Sequence, residues 1–181
     1  SGTPLMDIQN IIVYIAVYAI PVVFAITLHE AGHAYAAKFF GDKTAWMLGR
    51  TSLNPARHID PIGTILVPIL TAFTGFLFGW AKPVPVNFEN LRDPKRDMLW
   101  VAAAGPGANI AMALGWVLVA KLLLMAAGDG VAYEFWIRVA VAGVKVNVGL
   151  AVLNLFPLLP LDGGRILMSV LPKRLAWQYS R

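Results

Sequence analysis

Two histidines and a glutamate lie within five consecutive residues of the chain, His29-Glu30-Ala31-Gly32-His33. On a helix, His29 and His33 are one turn apart on the same face, so their imidazoles can bind one metal ion together. Glu30 lies about 100° from His29 and about 60° from His33 around the helix axis. Its carboxylate can therefore reach a water molecule on that ion without being a ligand, which is the arrangement that HExxH metallohydrolases use.

This motif follows an apolar run that is long enough to cross a bilayer. Residues 8–28 form a stretch of 21 residues without a charge, and a helix of that length spans the hydrocarbon layer of about 30 Å. We expect this helix to continue through the motif to Phe40, where Gly41 offers a C-cap. Ionisable side chains at the end of such a helix are costly in lipid and usually mark function. The alternative is an interfacial helix end whose polar residues simply meet water.

A catalytic zinc ion normally takes three protein ligands, and Asp162 is the best candidate for the third. It follows the uncharged residues 146–161, and Pro157 and Pro160 interrupt the helix before it. Non-helical backbone at membrane depth is tolerated mainly where protein buries it or where it lines a wet cavity. One alternative is that Asp162 caps a short helix over 163–170. Another is that the third ligand is Asp42, His58 or Asp60 from a basic connector, although we expect this connector to stay solvated.

The composition is typical of a membrane protein. Of 181 residues, 58% are hydrophobic and 14% are charged, whereas soluble domains average about 45–50% and about 25%. This disfavours a water-soluble globule and excludes a disordered chain. Because the chain has no cysteine, metal chemistry must use His, Asp or Glu. The basic residues behind the net charge of +5 are spread through short connectors, so we expect anionic lipid headgroups, and not nucleic acid, as partners.

The later apolar runs predict two more spans and one irregular segment. Residues 98–120 and 135–161 have the length of transmembrane helices, whereas residues 61–81 contain prolines and glycines that a straight helix disfavours. If residues 61–81 cross the membrane, the basic loop residues divide six against eight between its two sides. If they turn back, the division is twelve against two, which the positive-inside rule favours.

We therefore predict an all-α polytopic membrane protein with three full transmembrane helices, a re-entrant or irregular hydrophobic segment at 61–81, and room for a small β element on the cytoplasmic side. The N-terminus then lies outside, and the two histidines and Asp162 lie towards the cytoplasm. The length predicts a single membrane-embedded domain over residues 1–181. We expect Ser1-Gly2 to be a remnant of cloning and the C-terminus, 19 residues after Asp162, to be truncated or unusually compact.

Three segments together resemble the site-2 protease family of intramembrane zinc metalloproteases. In the family's order, they are residues 29–34 (HEAGHA), 104–109 (AGPGAN) and 154–165 (NLFPLLPLDGGR). The resemblance implies that His29, His33 and Asp162 bind one zinc ion per chain. It further implies that Glu30 is the general base and that Asn154 helps to hold the substrate or the developing oxyanion.

The implied mechanism is hydrolysis of a peptide bond by zinc-activated water. Glu30 takes a proton from the water and returns it to the leaving amine, while Asn154 offers a neutral donor to the oxyanion. One feature departs from the family pattern. Leu159-Pro160 stands where the family often has Asn-Pro, so any role of that asparagine is absent or supplied elsewhere. The sequence shows neither a PDZ nor a CBS module.

Four other features each have two interpretations. Asn109 and Asn147 either form hydrogen bonds between helices or take part in catalysis. Lys145, within an apolar helix, either extends towards the non-cytoplasmic surface, which is favoured, or belongs to a site. The extended residues 82–87 either pair with unwound substrate or form a plain linker.

The sequence thus predicts a multi-pass protein of the cell membrane that cleaves transmembrane protein substrates, with its active site near the cytoplasmic side. The main rival is a metal-ion transporter or binding protein, which also places His and Asp inside helices. That rival predicts paired sites and repeated halves, whereas the sequence contains one asymmetric site and no repeat. A catalytically silent scaffold of the same fold predicts a lost Glu or ligand, and all of them are present.

Overall fold

The computed structural model describes residues 8–73 and 79–180. Within these ranges the chain is helical between short connectors. The helices are α1 (Ile8–Phe40), α2 (Thr44–Met47), α3 (Val67–Ala72), α4 (Pro94–Ala126), α5 (Gly130–Leu155), α6 (Asp162–Val170) and α7 (Lys173–Tyr179). Of the described helices, α1, α4 and α5 are long and apolar enough to cross a membrane. The three predicted full spans are therefore confirmed.

These three helices pack against one another, and α6 packs against α4. The side chains buried between them are mostly small, such as Ala25, Ala34, Ala102 and Ala140. A Cβ atom on Gly32 of α1 would lie only 2.7 Å from the backbone oxygen of Ala104 on α4, so the two helices approach each other closely. Small residues at helix contacts are typical of membrane bundles, in which large apolar side chains face lipid instead.

Helix α1 continues past the apolar run, as the sequence predicts. It includes both histidines of the motif and ends at Phe40. The next residue, Gly41, has a φ of +118°, a backbone conformation that L side chains rarely adopt and that commonly terminates helices. The motif therefore lies in the last three turns of a continuous helix.

The hydrophobic segment at 61–81 turns back instead of crossing. It begins with a π-helical stretch, Pro61–Leu66, whose first N–H groups are capped by the Asp60 carboxylate, and it continues into α3. Beyond residues 74–78, which lie outside the described part, the backbone N–H of Trp80 donates to the carbonyl oxygen of Gly63 at 2.9 Å. Because the segment leaves and returns at the same place, it is re-entrant.

The expected β element is not formed, since residues 8–73 and 79–180 contain no strand. Residues 82–87 are extended, but Pro83 and Pro85 have no N–H group to donate to a ladder. The N–H groups of Val84 and Asn87 bond to side chains, and Lys82 bonds to the Arg50 side chain and to the carbonyl oxygen of His58, so none of these groups pairs with a strand. The small β element that the sequence left possible is therefore absent from the described residues.

Helix α5 ends at Leu155, and the chain then turns through two prolines into α6. Cβ atoms on Gly163 and Gly164 would overlap the backbone of residues 155–159, so only glycine allows α6 to begin so close to the end of α5. Lys95 at the start of α4 donates to the carbonyl oxygen of Leu171, just after α6. Both contacts fix the position of Asp162, the first residue of α6.

Candidate metal centre

The structure brings His29, His33 and Asp162 together. One ligand atom from each lies within 4.8 Å of the others, in a cluster that is buried to half-buried. The Nε2 atoms of the two histidines are 3.2 Å apart. The Asp162 Oδ2 atom is 3.2 Å from Nε2 of His29 and 3.3 Å from Nε2 of His33. Two histidines and an aspartate that follows them by 133 and 129 positions in the sequence thus form a nearly equilateral triangle of polar atoms.

Both imidazoles are oriented by hydrogen bonds at their other nitrogen. Nδ1 of His29 donates to Oδ1 of Asn109 at 2.6 Å, and Nδ1 of His33 donates to the carbonyl oxygen of Val101 at 2.7 Å. With the proton on Nδ1, each Nε2 carries a lone pair. Oδ2 of Asp162 is buried without a hydrogen-bond partner. Three lone pairs therefore converge on one point, which is an arrangement that a cation satisfies.

The dimensions of this triangle fit zinc. In a tetrahedral site with Zn–N and Zn–O distances of about 2.0–2.1 Å, neighbouring ligand atoms are about 3.3 Å apart. The three measured separations of 3.2, 3.2 and 3.3 Å agree with that value. Two imidazoles and one carboxylate are also a known donor set of catalytic zinc, and three protein ligands leave a fourth position open for water.

Asn109 of α4 is the centre of a buried polar chain that reaches His29. Its Nδ2 group donates to the carbonyl oxygen of Ala25 at 3.2 Å and to Oδ1 of Asn147 at 2.9 Å. Asn147 in turn donates to the carbonyl oxygen of Gly143. Both asparagines are fully buried. Asn109 therefore connects the three spanning helices and orients a histidine, which agrees with the interpretation of hydrogen bonds between helices.

Gly105 of α4 packs directly on the two histidine rings. A Cβ atom at this position would overlap Nε2 of His33 and lie 2.8 Å from Cε1 of His29. By contrast, a Cβ atom on Gly107, half a turn further along, would meet nothing within 4 Å. The small residues of 104–109 thus serve close packing, as their composition predicts, and Gly105 in particular leaves room for the imidazoles.

Glu30 lies beside the cluster and is not part of it. Its Oε2 atom accepts a hydrogen bond from the backbone N–H of Val84 at 2.8 Å. Val84 is the central residue of the extended segment 82–87, between the two prolines that have no N–H. This segment therefore lies against the motif and holds the Glu30 carboxylate.

Two buried charged side chains anchor the segment 82–87 at its ends. Arg50 donates to the carbonyl oxygen of Lys82 at 2.8 Å, and Oδ2 of Asp42 accepts from the backbone N–H of Asn87 at 2.8 Å. Burial alone would raise the pKa of the Asp42 carboxyl, but hydrogen bonds from Thr44, Asn87 and Asn90 lower this pKa below its ordinary value. Asp42 therefore acts as an ionised anchor.

The three rival ligand candidates are engaged elsewhere. Asp60 caps the π-helical turn through hydrogen bonds from Ile62 and Gly63. Nε2 of His58 donates to the carbonyl oxygen of Ser52 at 2.8 Å, while Asp42 anchors the extended segment. His58 and Asp42 are fully buried, so the prediction that this connector is solvated was wrong for them. The residues fold inwards because they bond to backbone groups of the surrounding loops.

A cavity of about 400 Å³ adjoins the cluster. Besides the motif and Asp162, its lining includes Asn154, Arg165 and residues 83–86. The Asn154 Nδ2 group donates to the carbonyl oxygen of Leu150, one turn earlier in α5, at 2.9 Å. The cavity has the volume of several residues of an extended peptide, and both Glu30 and Asn154 line it.

Several contacts of the site were not predicted from the sequence. They are the bond from Val84 to Glu30, the bond from His33 to Val101, and the contact of Gly105 with the rings. Only Gly105 had a signal in the sequence, as a member of the Ala-Gly-Pro-Gly-Ala-Asn motif. The other two bonds involve backbone groups, which any residue provides.

Comparisons with known proteins agree with this arrangement. Residues 117–178 match the model of peptidase family M50. The chain is 38% identical over 160 residues to "Putative zinc metalloprotease YwhC" of Bacillus subtilis, covering 84% of this chain and 68% of that protein. It is 31% identical over 139 residues to "Putative zinc metalloprotease Rip2" of Mycobacterium tuberculosis, covering 77% of this chain and 51% of the relative.

A third relative, the Rip2 protein of Mycolicibacterium smegmatis, is 32% identical over 155 residues, which are 83% of this chain and 56% of that protein. The chain thus spans about half to two thirds of the length of these relatives. No solved structure matches it significantly. On the strength of these matches and of the three apolar helices, the chain belongs to peptidase family M50, the site-2 protease family of membrane metalloproteases.

Proposed function

We propose that this protein is a zinc endopeptidase that hydrolyses peptide bonds within or near the transmembrane segments of other membrane proteins. The observation that carries this proposal is the triangle of two imidazole nitrogens and one carboxylate oxygen beside Glu30. The names of the relatives specify zinc metalloproteases, and the spanning helices support a bilayer as its environment.

In this proposal, His29, His33 and Asp162 hold one zinc ion per chain. When bound, the ion acts as a Lewis acid and lowers the pKa of water. Water can then lose a proton near neutral pH and become a nucleophile for a carbonyl group. Glu30 accepts a proton from the attacking water on a carboxylate oxygen and delivers it to the nitrogen of the leaving amine. The hydrogen bond from Val84 supports this role, because it holds the carboxylate in a fixed direction.

Asn154 and the extended segment 82–87 are proposed to bind the peptide. The Asn154 amide now donates to Leu150, so it serves the developing oxyanion after rotation about its side-chain bonds. The carbonyl oxygens of Pro83 and Pro85 point away from the Val84 N–H side of an extended chain. They offer acceptors to the N–H groups that a substrate helix releases when it unwinds.

We place the protein in the cell membrane, with the site near the cytoplasmic side. Because residues 61–81 are re-entrant, twelve basic loop residues lie on one side of the membrane and two on the other. The positive-inside rule places the side with twelve in the cytoplasm, which supports this orientation. Transport of a metal ion is less well supported. A transport path needs further ion sites, and the described residues contain one cluster of possible metal ligands, His29, His33 and Asp162.

The test is cleavage of single-span substrates in liposomes by protein with measured zinc content. Replacing Glu30→Gln removes the base and keeps the ligands, so we expect zinc near one per chain and a rate reduced by about 10²–10⁴-fold. Glu134→Gln, an exposed change at the start of α5, is the matched control and retains activity. Undiminished cleavage by the Glu30→Gln protein would reject the proposed base.

A further inference from the structure

Besides the site cavity, a cavity of about 380 Å³ lies between α1, α5 and the re-entrant segment. Its α1 wall consists of Tyr14, Tyr18, Val22 and Ile26, one residue per turn. The next position of the same row is Glu30. This wall therefore leads along the helix to the catalytic motif.

The α5 wall has the same relation to the site. It includes Leu150 and Leu153, and the next residue is Asn154, which lines the site cavity. The two cavities thus follow one another along both helices, and the second is lined by Glu30 and Asn154. We refer to the two cavities together as the groove. Most of its side chains are apolar, so its dimensions and chemistry suit a segment of another transmembrane chain.

Lys145 is the exception in this apolar lining. It lies nine residues before Asn154 in the same helix, which is about 13 Å along the axis. Within the described part of the chain it has no carboxylate within ion-pair distance and no side-chain hydrogen bond. A cation in an apolar, membrane-embedded groove is costly without a counter-charge, so its position indicates a partner that brings one.

We propose that this groove receives the transmembrane segment of the substrate, and that Lys145 selects segments with an acidic side chain about 13 Å from the scissile bond. That distance is about nine residues if the segment is helical and about four if it is extended. Tyr14 and Tyr18 also line this cavity, so their hydroxyl groups are further hydrogen-bond donors in the groove. The inference rests on the proposed protease function and adds a determinant of specificity to it.

The experiment uses a single-span host peptide in which one aspartate is moved through positions three to ten residues from the cleavage site, with asparagine at the same positions as reference. Wild-type protein in liposomes is expected to favour aspartate over asparagine at one position by about tenfold in kcat/KM, mainly through KM. Lys145→Met reduces this ratio to about one, and Lys145→Arg retains it. Lys145→Glu favours a lysine-bearing peptide instead.

Lys121→Met is the matched control, because Lys121 lies on α4 and does not line this groove; its preference stays at the wild-type value. Binding of the same labelled peptides to the Glu30→Gln protein is measured in parallel by fluorescence transfer. A protein that cleaves no peptide but binds aspartate peptides through Lys145 would reject the protease function and keep the groove. The absence of any aspartate preference, or its persistence in Lys145→Met, would overturn the assignment of Lys145.

Discussion

The carboxamide oxygen of Asn109 accepts a hydrogen bond from Nδ1 of His29 at 2.6 Å, across 80 residues of sequence. This bond places the proton on Nδ1 and leaves Nε2 directed at His33 and Asp162. Ligating histidines are commonly fixed in this way, and such supporting partners affect metal affinity nearly as much as the ligands do. Helix α4, which supplies no candidate ligand, thus determines the geometry of the metal centre.

Replacing Asn109→Ala is therefore expected to weaken zinc binding by about 10–100-fold. The imidazole of His29 loses its fixed orientation, and Asn147 loses its partner. Zinc affinity is measured by competition with a chromophoric chelator. Asn154→Ala is the comparison, because Asn154 bonds only to its own helix; it should lower cleavage and keep zinc affinity. Equal zinc affinity in the Asn109→Ala and wild-type proteins would contradict the supporting role of Asn109.

The contact of Gly105 with the histidine rings predicts that a single methyl group disrupts the site. In Gly105→Ala the new Cβ overlaps His33, so α4 or the rings must move, and we expect zinc content and cleavage to fall by at least about tenfold. Gly107→Ala has open space around its Cβ and should retain both. Metal analysis of the two purified variants checks this difference, and similar zinc contents in both would argue against the described packing.

Removal of zinc should lower the thermal stability of the protein. In the proposed site the ion joins α1 to α6, and a ligand present at about 100 times its Kd stabilises the folded state by about 2.7 kcal/mol. A chelator is expected to lower the Tm of the wild-type protein in detergent, and added zinc to restore it. In Asp162→Ala neither treatment should shift the Tm appreciably. An equal response of both proteins would place the stabilising ion elsewhere.

The anchor of segment 82–87 predicts a stability effect at a distance from the metal. Asp42→Ala removes the buried acceptor of the Thr44 and Asn87 N–H groups and of the Thr44 hydroxyl, which should cost about 1–3 kcal/mol. Asp129→Ala, an exposed change of equal charge, is the control and should be nearly neutral. Denaturant unfolding measures both. A nearly neutral effect of Asp42→Ala would contradict the anchoring role.

The lowered pKa of Asp42 adds a pH dependence to this prediction. A group whose pKa is lower in the folded state stabilises the protein above its ordinary pKa, here 3.8, and this stabilisation is lost as pH falls through the folded-state value. The stability difference between wild type and the Asp42→Asn variant should therefore be complete near neutral pH and shrink below pH 3.8. A difference that grows on acidification would reject an ionised Asp42.

Much of the fold could be predicted from the sequence, because it depends on local backbone preferences and on which segments the bilayer accepts. The uncharged runs predicted all three spanning helices, and the Gly41 signal predicted the end of α1. The division of basic residues predicted the re-entrant segment because loop charge depends on topology and not on side-chain packing. The three candidate ligands were also predicted from residue types and their spacing in the sequence. The structure brings them together, and their role as metal ligands stays a prediction.

The interactions that support the site could not be predicted from the sequence, because they depend on how helices and loops pack against one another. No pattern shows that the N–H of Val84 bonds to Glu30, since every residue except proline offers an N–H. Likewise, Asp42 and His58 lie in a polar connector whose composition predicts exposure to water, and only the folded loops show that they are buried. Residues whose role is to orient others have no spacing rule of their own.

The central claim is that two imidazoles and one carboxylate hold a single zinc ion at the end of α1. X-ray absorption spectroscopy at the zinc edge of the purified protein tests this claim most directly. We predict one zinc ion per chain with two histidine nitrogens and oxygen ligands at about 2.0–2.1 Å, and loss of the bound zinc in Asp162→Ala. A six-coordinate, all-oxygen environment, or an unchanged spectrum in Asp162→Ala, would contradict it.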